Sequence, residues 1–350
     1  MHNPSEFHLA GGLNSTETMT TFEYDFDYPS EECNRTEVFK FAAISTSVFF
    51  SSVVVLSLLG NILVLVILVI YENIRSVTNT LILNLAVSDL LFTASLPFWI
   101  YYDLYGWTFG KPTCKLVNWV FFTGFCSSSI LLVLMTVHRY VAVMNPLSNI
   151  VSAAGFPSVV VTVIVWVVSI LIASPSFVYS NVTDHENFTI CFYENQDGKL
   201  WMFYQQNAFF VVFSLVFIFC YSKILWKLKG STVQKRNNRT LKLIFILVVV
   251  FFLEWAPYNY VIFQMSLDVI NKNSGHDCDS RTRLDYAFYI SRMLAFSHCC
   301  LNPVFYVLVG IKFKSHLKKM VKICSSDRNS IPNRRSRLTI MSVTSEELSM

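Results

Sequence analysis

The chain has 350 residues, 53% of them hydrophobic and 14% charged, with 31 phenylalanines and a formal net charge of +4. Soluble proteins of this length carry about 25% charged residues, so the composition excludes an ordinary soluble domain and places the chain in the membrane class. The placement of its charges matters more than their small sum, and no nucleic acid is expected as a partner.

Residues 1–40 form an acidic head. They hold eight Asp or Glu residues against Arg35 and Lys40, and include Glu23-Tyr24-Asp25-Phe26-Asp27-Tyr28. Low hydrophobicity with high acidity predicts a disordered extracellular tail. The stretch lacks the apolar core of a signal peptide, so the first spanning helix is expected to serve as an uncleaved anchor. Asn14 and Asn34 open glycosylation sequons here, and Asn181 and Asn187 open two more in a later polar loop. Such sequons are usable only outside the cell. A fifth, at Asn238, falls in a basic segment and is expected to stay unused.

Seven apolar runs follow, near 41–70, 77–101, 114–144, 158–179, 202–226, 241–266 and 284–309. Each is long enough to span a bilayer with some tilt. The fold class is therefore an all-α membrane protein, a seven-transmembrane helix bundle over residues 41–309. The third run is the longest informative stretch. From Cys114 to Tyr140 there are 26 helical steps, which at about 1.5 Å each reach roughly 39 Å against a hydrocarbon core of roughly 30 Å. Cys114 is expected outside one face and Arg139 at the other.

The connectors set the orientation. Segment 227–242 has six Lys or Arg residues and no acid, and 310–337 is also basic, whereas 180–201 carries Asp184, Glu186, Glu194 and Asp197. Basic loops stay cytoplasmic, which puts the amino terminus outside and the carboxyl terminus inside a plasma-membrane protein. Of nine cysteines, Cys33, Cys114, Cys191 and Cys278 flank apolar runs on the outer side, suggesting two disulfides in an oxidising exterior. Residues 310–323 place Phe313, Leu317, Met320 and Val321 at helical spacing among lysines. This is the pattern of an amphipathic helix on membrane lipids, with Cys324 as a candidate palmitate acceptor. Residues 324–350 are a cytoplasmic tail of Ser, Thr and Arg whose hydroxyls can take phosphate.

Charge inside an apolar run is expensive unless paired or solvated, which singles out Asp89. Asn61, Ser128, His298 and Asn302 lie at similar depth on other runs, with Trp255 nearby. Together they form a candidate pocket for water or a sodium ion, a purely structural network being the other reading. Pro97, Pro175, Pro257 and Pro303 interrupt runs; spanning helices tolerate such breaks because neighbours satisfy the freed carbonyls. Kinks beside Trp255 and Tyr306 are candidate hinges.

Gly60-Asn61, Leu85-Ala-Val-Ser-Asp89, Cys114, His138-Arg139-Tyr140, Trp166, Trp255-Ala-Pro257 and Asn302-Pro303-Val-Phe-Tyr306 stand one per run. In that order they resemble the rhodopsin-like G-protein-coupled receptors, over residues from about 41 to 323. The Tyr/Asp head, Cys33 with Cys278, Trp99, Trp107-Thr-Phe-Gly110 and Ala295-Phe-Ser-His298-Cys-Cys-Leu-Asn-Pro303 are similar to the chemokine receptors. Met135-Thr-Val-His138, Pro257-Tyr-Asn-Tyr, Tyr286-Ala, Arg292 and Val309-Gly-Ile-Lys-Phe-Lys most resemble the XC-type branch, whose ligand family is lymphotactin.

The resemblance implies disulfides Cys114–Cys191 and Cys33–Cys278. It implies a small extracellular chemokine as ligand, met first by Tyr24, Asp25, Asp27 and Tyr28, with the tyrosines open to sulfation. Trp99, Asp103, Asp285, Tyr289 and Arg292 would meet the part that inserts. It also implies that Arg139, with His138, Tyr140, Tyr221, Pro257 and Tyr306, serves coupling to a heterotrimeric G protein of the inhibitory class. Calcium release, chemotaxis of an immune cell, and arrestin and receptor kinases acting on the tail would follow. No enzyme activity and no cofactor are implied beyond a sodium ion at Asp89.

The departures from the family pattern are as telling. His138 replaces the usual Asp before Arg139; an imidazole with an ordinary pKa near 6.5 is mostly neutral at cytosolic pH and makes a weaker lock. Arg292 stands where many chemokine receptors place Glu, and is expected either in the ligand pocket or paired with Asp285, seven residues earlier. Glu254 precedes Trp255, with His298 or a local carbonyl as its expected partner. Ser95-Leu-Pro97 replaces Thr-x-Pro, and Phe213 takes the depth of a frequent proline. A transporter would show internal repeats, a retinal protein a lysine in the last run, and a metalloenzyme a better set than His298-Cys299-Cys300. The remaining alternative is a scavenging chemokine receptor that binds without signalling.

Overall fold

The structure, a computed structural model, describes residues 36–74, 76–144, 158–185, 188–193, 196–229, 238–270 and 278–309. The elements are α1 (Thr36–Tyr71), α2 (Val77–Tyr105), α3 (Gly110–Met144), α4 (Ser158–Tyr179), β1 (Ser180–His185), β2 (Phe188–Tyr193), α5 (Gln196–Lys229), α6 (Asn238–Ile270), α7 (Cys278–Phe296) and α8 (His298–Val309). The first six helices are each long and apolar enough to cross a membrane, and α7 with α8 makes a bent seventh span. The bundle is thus a seven-transmembrane fold.

Burial places α3 at the centre. In its most apolar stretch 72% of residues are buried, against 22% in those of α4 and α5. Those two helices instead turn Val163, Leu171, Leu215 and Ile218 outward. A water-soluble surface rarely carries so wide an apolar patch; lipid is its natural solvent.

Several sequence motifs resolve into packing devices. Pro303 has no N–H to give the carbonyl of Cys299, four residues earlier. That carbonyl instead accepts from Asn61 Nδ2 at 2.8 Å and from Ser57 Oγ at 3.2 Å, both on α1. Gly60 makes the approach possible, because a Cβ there would lie 2.8 Å from the Pro303 ring. Pro175 likewise leaves the Leu171 carbonyl without its helical donor, and the Ser174 hydroxyl fills the vacancy at 2.7 Å. Asn84 ties α2 to α4 by accepting from Trp166 Nε1 at 3.0 Å and donating to Thr162 Oγ1 at 3.2 Å. At Gly124 the backbones of α3 and α2 come so close that a Cβ would sit 2.7 Å from the Phe92 nitrogen.

Three features differ from the sequence reading. Helix α1 begins at Thr36, five residues before the expected run. The polar connector after α4 contains an antiparallel hairpin, with Val182 opposite Cys191 and Ser180 opposite Tyr193. The seventh run is broken at Ser297, whose hydroxyl binds the Leu294 carbonyl at 2.7 Å while its N–H is shared between Met293 and Leu294. A hydroxyl competing for the ladder in this way bends a helix.

Candidate functional site

Polar and aromatic groups gather at three stations along α3. The first lies under the hairpin. Cys114 is disulfide-bonded to Cys191 with a Cα separation of 5.8 Å, so β2 is tied to the start of α3. Trp107 is packed beneath it, donating its backbone N–H to Thr189 O at 2.8 Å and its Nε1–H to Gly110 O at 2.9 Å. Gly110 takes φ +76°, a left-handed conformation that suits glycine and closes this turn.

Below the hairpin is a cavity that opens to solvent. Its wall is mostly aromatic. Trp99 and Tyr102 come from α2, Asn118 and Phe121 from α3, Gln206 from α5, Tyr258 from α6, and Asp285, Tyr289 and Arg292 from α7. Trp99 packs among Tyr102, Trp107 and Phe121 with centroid distances of 5.9, 6.1 and 6.2 Å. Expected site residues Trp99, Asp285, Tyr289 and Arg292 therefore meet in one cavity.

Asp103 does not join them as a lining residue. It is buried, and its Oδ2 receives Arg292 Nη2 at 2.5 Å, with Thr46 Oγ1 2.9 Å from the same oxygen. The guanidinium also stands over the rings of Phe50, Tyr289 and Phe288, 5.5, 5.3 and 5.9 Å from their centroids. The ion pair joins α2 to α7, so the acid bonded to Arg292 across the bundle is Asp103.

The second station is Asp89, fully buried at mid-depth. Ser128 donates to its Oδ1 at 2.8 Å and Asn302 to its Oδ2 at 2.9 Å. Thr93 donates to the Asp89 backbone carbonyl at 2.6 Å and shares a 2.6 Å bond with Ser57. Ser57 in turn accepts from Asn61 at 3.0 Å, which makes a continuous column from α1 through α2 to α3 and α8. His298 and Trp255 stand outside this column. His298 Nδ1 lies 2.8 Å from the Ala295 carbonyl, and its ring packs 4.6 Å from Phe92 and 5.2 Å from Trp255. Nor is His298 the partner of Glu254, which accepts from the Ser297 hydroxyl at 3.3 Å. One carboxylate and a neighbouring hydroxyl give an all-oxygen donor set of the kind a hard cation takes.

The third station is the other end of α3. Arg139 donates from Nη2 to Thr78 Oγ1 on α2 at 2.8 Å. Tyr221 on α5 is buried within electrostatic range of it. Tyr140 packs on Phe219 at 5.7 Å, and Lys227 Nζ caps the Met144 carbonyl at 2.7 Å. Half-buried His138 precedes Arg139 without taking Thr78's place. Pro257 lies within α6, two residues after Trp255.

Some expected residues fall outside the described part: Tyr24, Asp25, Asp27, Tyr28, Cys33, Asn14, Asn34, Asn187, Cys324, the side chain of Tyr306, and the segment 310–323. Cys278 is disulfide-bonded, its expected partner Cys33 being among these. Asn181 lies on β1 opposite Phe192. The sequence reading missed Thr46, Thr78, Gln206 and Asn118. All four are neutral polar residues in apolar runs, Thr46, Gln206 and Asn118 buried and Thr78 half-buried, and residue type alone does not set them apart.

A family profile described as 7 transmembrane receptor (rhodopsin family) matches residues 60–306. The chain is 42% identical over 303 residues to Chemokine XC receptor 1 of Homo sapiens, covering 87% of this chain and 88% of that protein. It is 42% identical over 320 residues to Chemokine XC receptor 1 of Mus musculus, covering 90% and 95% respectively.

Proposed function

As the chain belongs to the rhodopsin family of seven-transmembrane receptors, and within it to the chemokine receptors, we propose that it binds an XC-type chemokine, lymphotactin, outside the cell and activates an inhibitory-class G protein within. One observation carries this reading. A mainly aromatic cavity opens at one end of α3 and a lightly held arginine stands at the other, with a packed polar column between.

The acidic head, with Tyr24, Asp25, Asp27 and Tyr28, meets a basic chemokine first. Its leading residues then enter the cavity beside Trp99, Asp285, Tyr289 and Arg292. Ligand shifts the receptor only by binding one state better than another. The favoured state has α6 tilted about Pro257, freeing Arg139 with Tyr140, Tyr221 and Tyr306 to meet the G protein. Asp89 with Ser128 would hold a sodium ion, which would supply positive charge to an otherwise buried carboxylate. Arrestin and receptor kinases act through the phosphorylated tail, Cys324 is palmitoylated, and Asn14, Asn34, Asn181 and Asn187 carry glycans on the outer side. Calcium release and directed migration of an immune cell are the outputs.

The test is a calcium and cyclic-AMP readout in transfected cells against a chemokine panel that includes lymphotactin. A calcium rise with pertussis-sensitive loss of cyclic AMP is expected from lymphotactin, and silence would overturn that ligand. The second reading, a scavenging receptor, is favoured by His138 in place of an acid. Binding without any signal would select it.

A further inference from the structure

Glu254 is a carboxyl group within a membrane span that none of the three stations along α3 uses. It sits on α6 with 6% of its surface exposed, and it has no ion pair among the described residues. An ionisable side chain at such depth is costly, so a defined partner is expected for it. That partner is Ser297, whose Oγ lies 3.3 Å from Glu254 Oε1. The next residue on each side makes a second contact, the rings of Trp255 and His298 packing 5.2 Å apart. Two consecutive residues of α6 thus meet two consecutive residues at the break between α7 and α8.

Ser297 is where the last span breaks, and Glu254 stands three residues before Pro257, on the part of α6 that leads to the Arg139 end. One hydrogen bond therefore bridges a joint in α6 and a joint in the last span. The bond is unequal. Ser297 has a single hydroxyl proton, and the Leu294 carbonyl lies closer to it, at 2.7 Å. If α6 departs, Ser297 keeps an acceptor on its own helix, while Glu254 loses its donor. The link holds α6 and can be released without disturbing the bend.

Resting on the reading in which α6 tilts about Pro257, we propose that Glu254 is a positioning residue for activation. Through Ser297 it clasps the hinge segment of α6 to the break in the last span, and it lets go when α6 tilts. The carboxyl serves here only as an acceptor, so an amide can replace it and an apolar side chain of similar length cannot. A long, shared hydrogen bond of this kind biases a two-state equilibrium by about two- to tenfold.

The experiment uses purified full-length receptor in lipid nanodiscs, without ligand. Spin labels at Ile74 and Val249, both exposed, report the distance between the end of α1 and α6 by pulsed electron paramagnetic resonance. Nucleotide exchange on an inhibitory-class heterotrimer is read in parallel on unlabelled protein. Glu254→Met should enlarge the fraction with α6 displaced by about two- to tenfold, and basal exchange with it. Glu254→Gln should keep the wild-type distances. Ser297→Ala removes the donor and should match Glu254→Met; it also keeps the test open if the methionine variant fails to fold. The double variant E254M/S297A should displace α6 no further than either change alone.

Distances unmoved by both single changes, an equal shift from Glu254→Gln, or additive effects in the double variant would overturn the proposal. A lowered unfolding temperature with unchanged distances would mark a packing role only, and overturn it as well. Lymphotactin added to the wild type is the reference: if it displaces α6 and neither Glu254→Met nor Ser297→Ala does, the clasp alone falls. If the variants shift the distances but not nucleotide exchange, the clasp stands and the G-protein reading falls.

Discussion

The two ends of α3 are held in opposite ways. At the hairpin end there is a covalent bond to β2, a buried tryptophan beneath it, and a wall of interlocking rings closed by the Arg292–Asp103 pair. At the other end Arg139 is joined to α2 by one hydrogen bond, from its guanidinium to the hydroxyl of Thr78. A single hydrogen bond to a charged group contributes about 1.5–3 kcal/mol at most, whereas losing a native disulfide costs about 2–5 kcal/mol in small domains. One end is built to keep its shape while a ligand binds, and the other to let go. The middle station, with Asp89 bonded through both oxygens, keeps the two ends in one rigid element.

This contrast can be challenged by substitution. Cys114→Ser should have the largest effect, a loss of several kcal/mol seen as lost surface display and a lowered unfolding temperature. Normal display and ligand binding would show that the hairpin end needs no covalent tether. Gly124→Val should follow, because its side chain would drive into the Phe92 backbone; overpacking costs about 1–3 kcal/mol, readable as a drop in melting temperature. Ser128→Ala removes a bond to a buried carboxylate and should cost about 1.5–3 kcal/mol, measured the same way.

The Arg139 end should respond differently. Thr78→Ala should cost no more than about 1.5–3 kcal/mol yet raise basal G-protein signalling, and His138→Asp should lower it by giving Arg139 a charged partner. A basal level unmoved by either change would remove the idea that this end is lightly held. Glu254→Gln should be the mildest, within about 0.5 kcal/mol, since an amide oxygen can still accept from Ser297.

The bundle was legible in the sequence because seven long apolar runs admit few other arrangements, and the α4 run matched its helix end to end. The Asp89 column was legible for a related reason: a carboxylate in an apolar run advertises its need for Ser128 and Asn302. Arg292 advertised the same need but not its partner. Asp285 lies seven residues away on the same helix, while Asp103 is 189 residues distant in sequence, and only the crossing of α2 and α7 brings Asp103 to the guanidinium. Glu254 and His298 were drawn together by chemistry that geometry did not honour, because the histidine turned to its own helix. Thr46 and Thr78 were silent, as a hydroxyl in an apolar run usually satisfies itself on a carbonyl four residues back.

Helix α1 has a consequence that its position at the rim of the bundle conceals. The carbonyl of Cys299, at the head of α8, is bonded to Ser57 and Asn61 instead of to its own helix, and Ser297 has already parted α8 from α7 two residues earlier. The joint between the two halves of the last span is therefore pinned by a different segment of chain. A pivot fixed to a separate, outer post turns about a set axis. Motion entering from the α7 half is delivered to Asn302 and Pro303 as rotation against α1, with little left to be dissipated as bending along the helix itself.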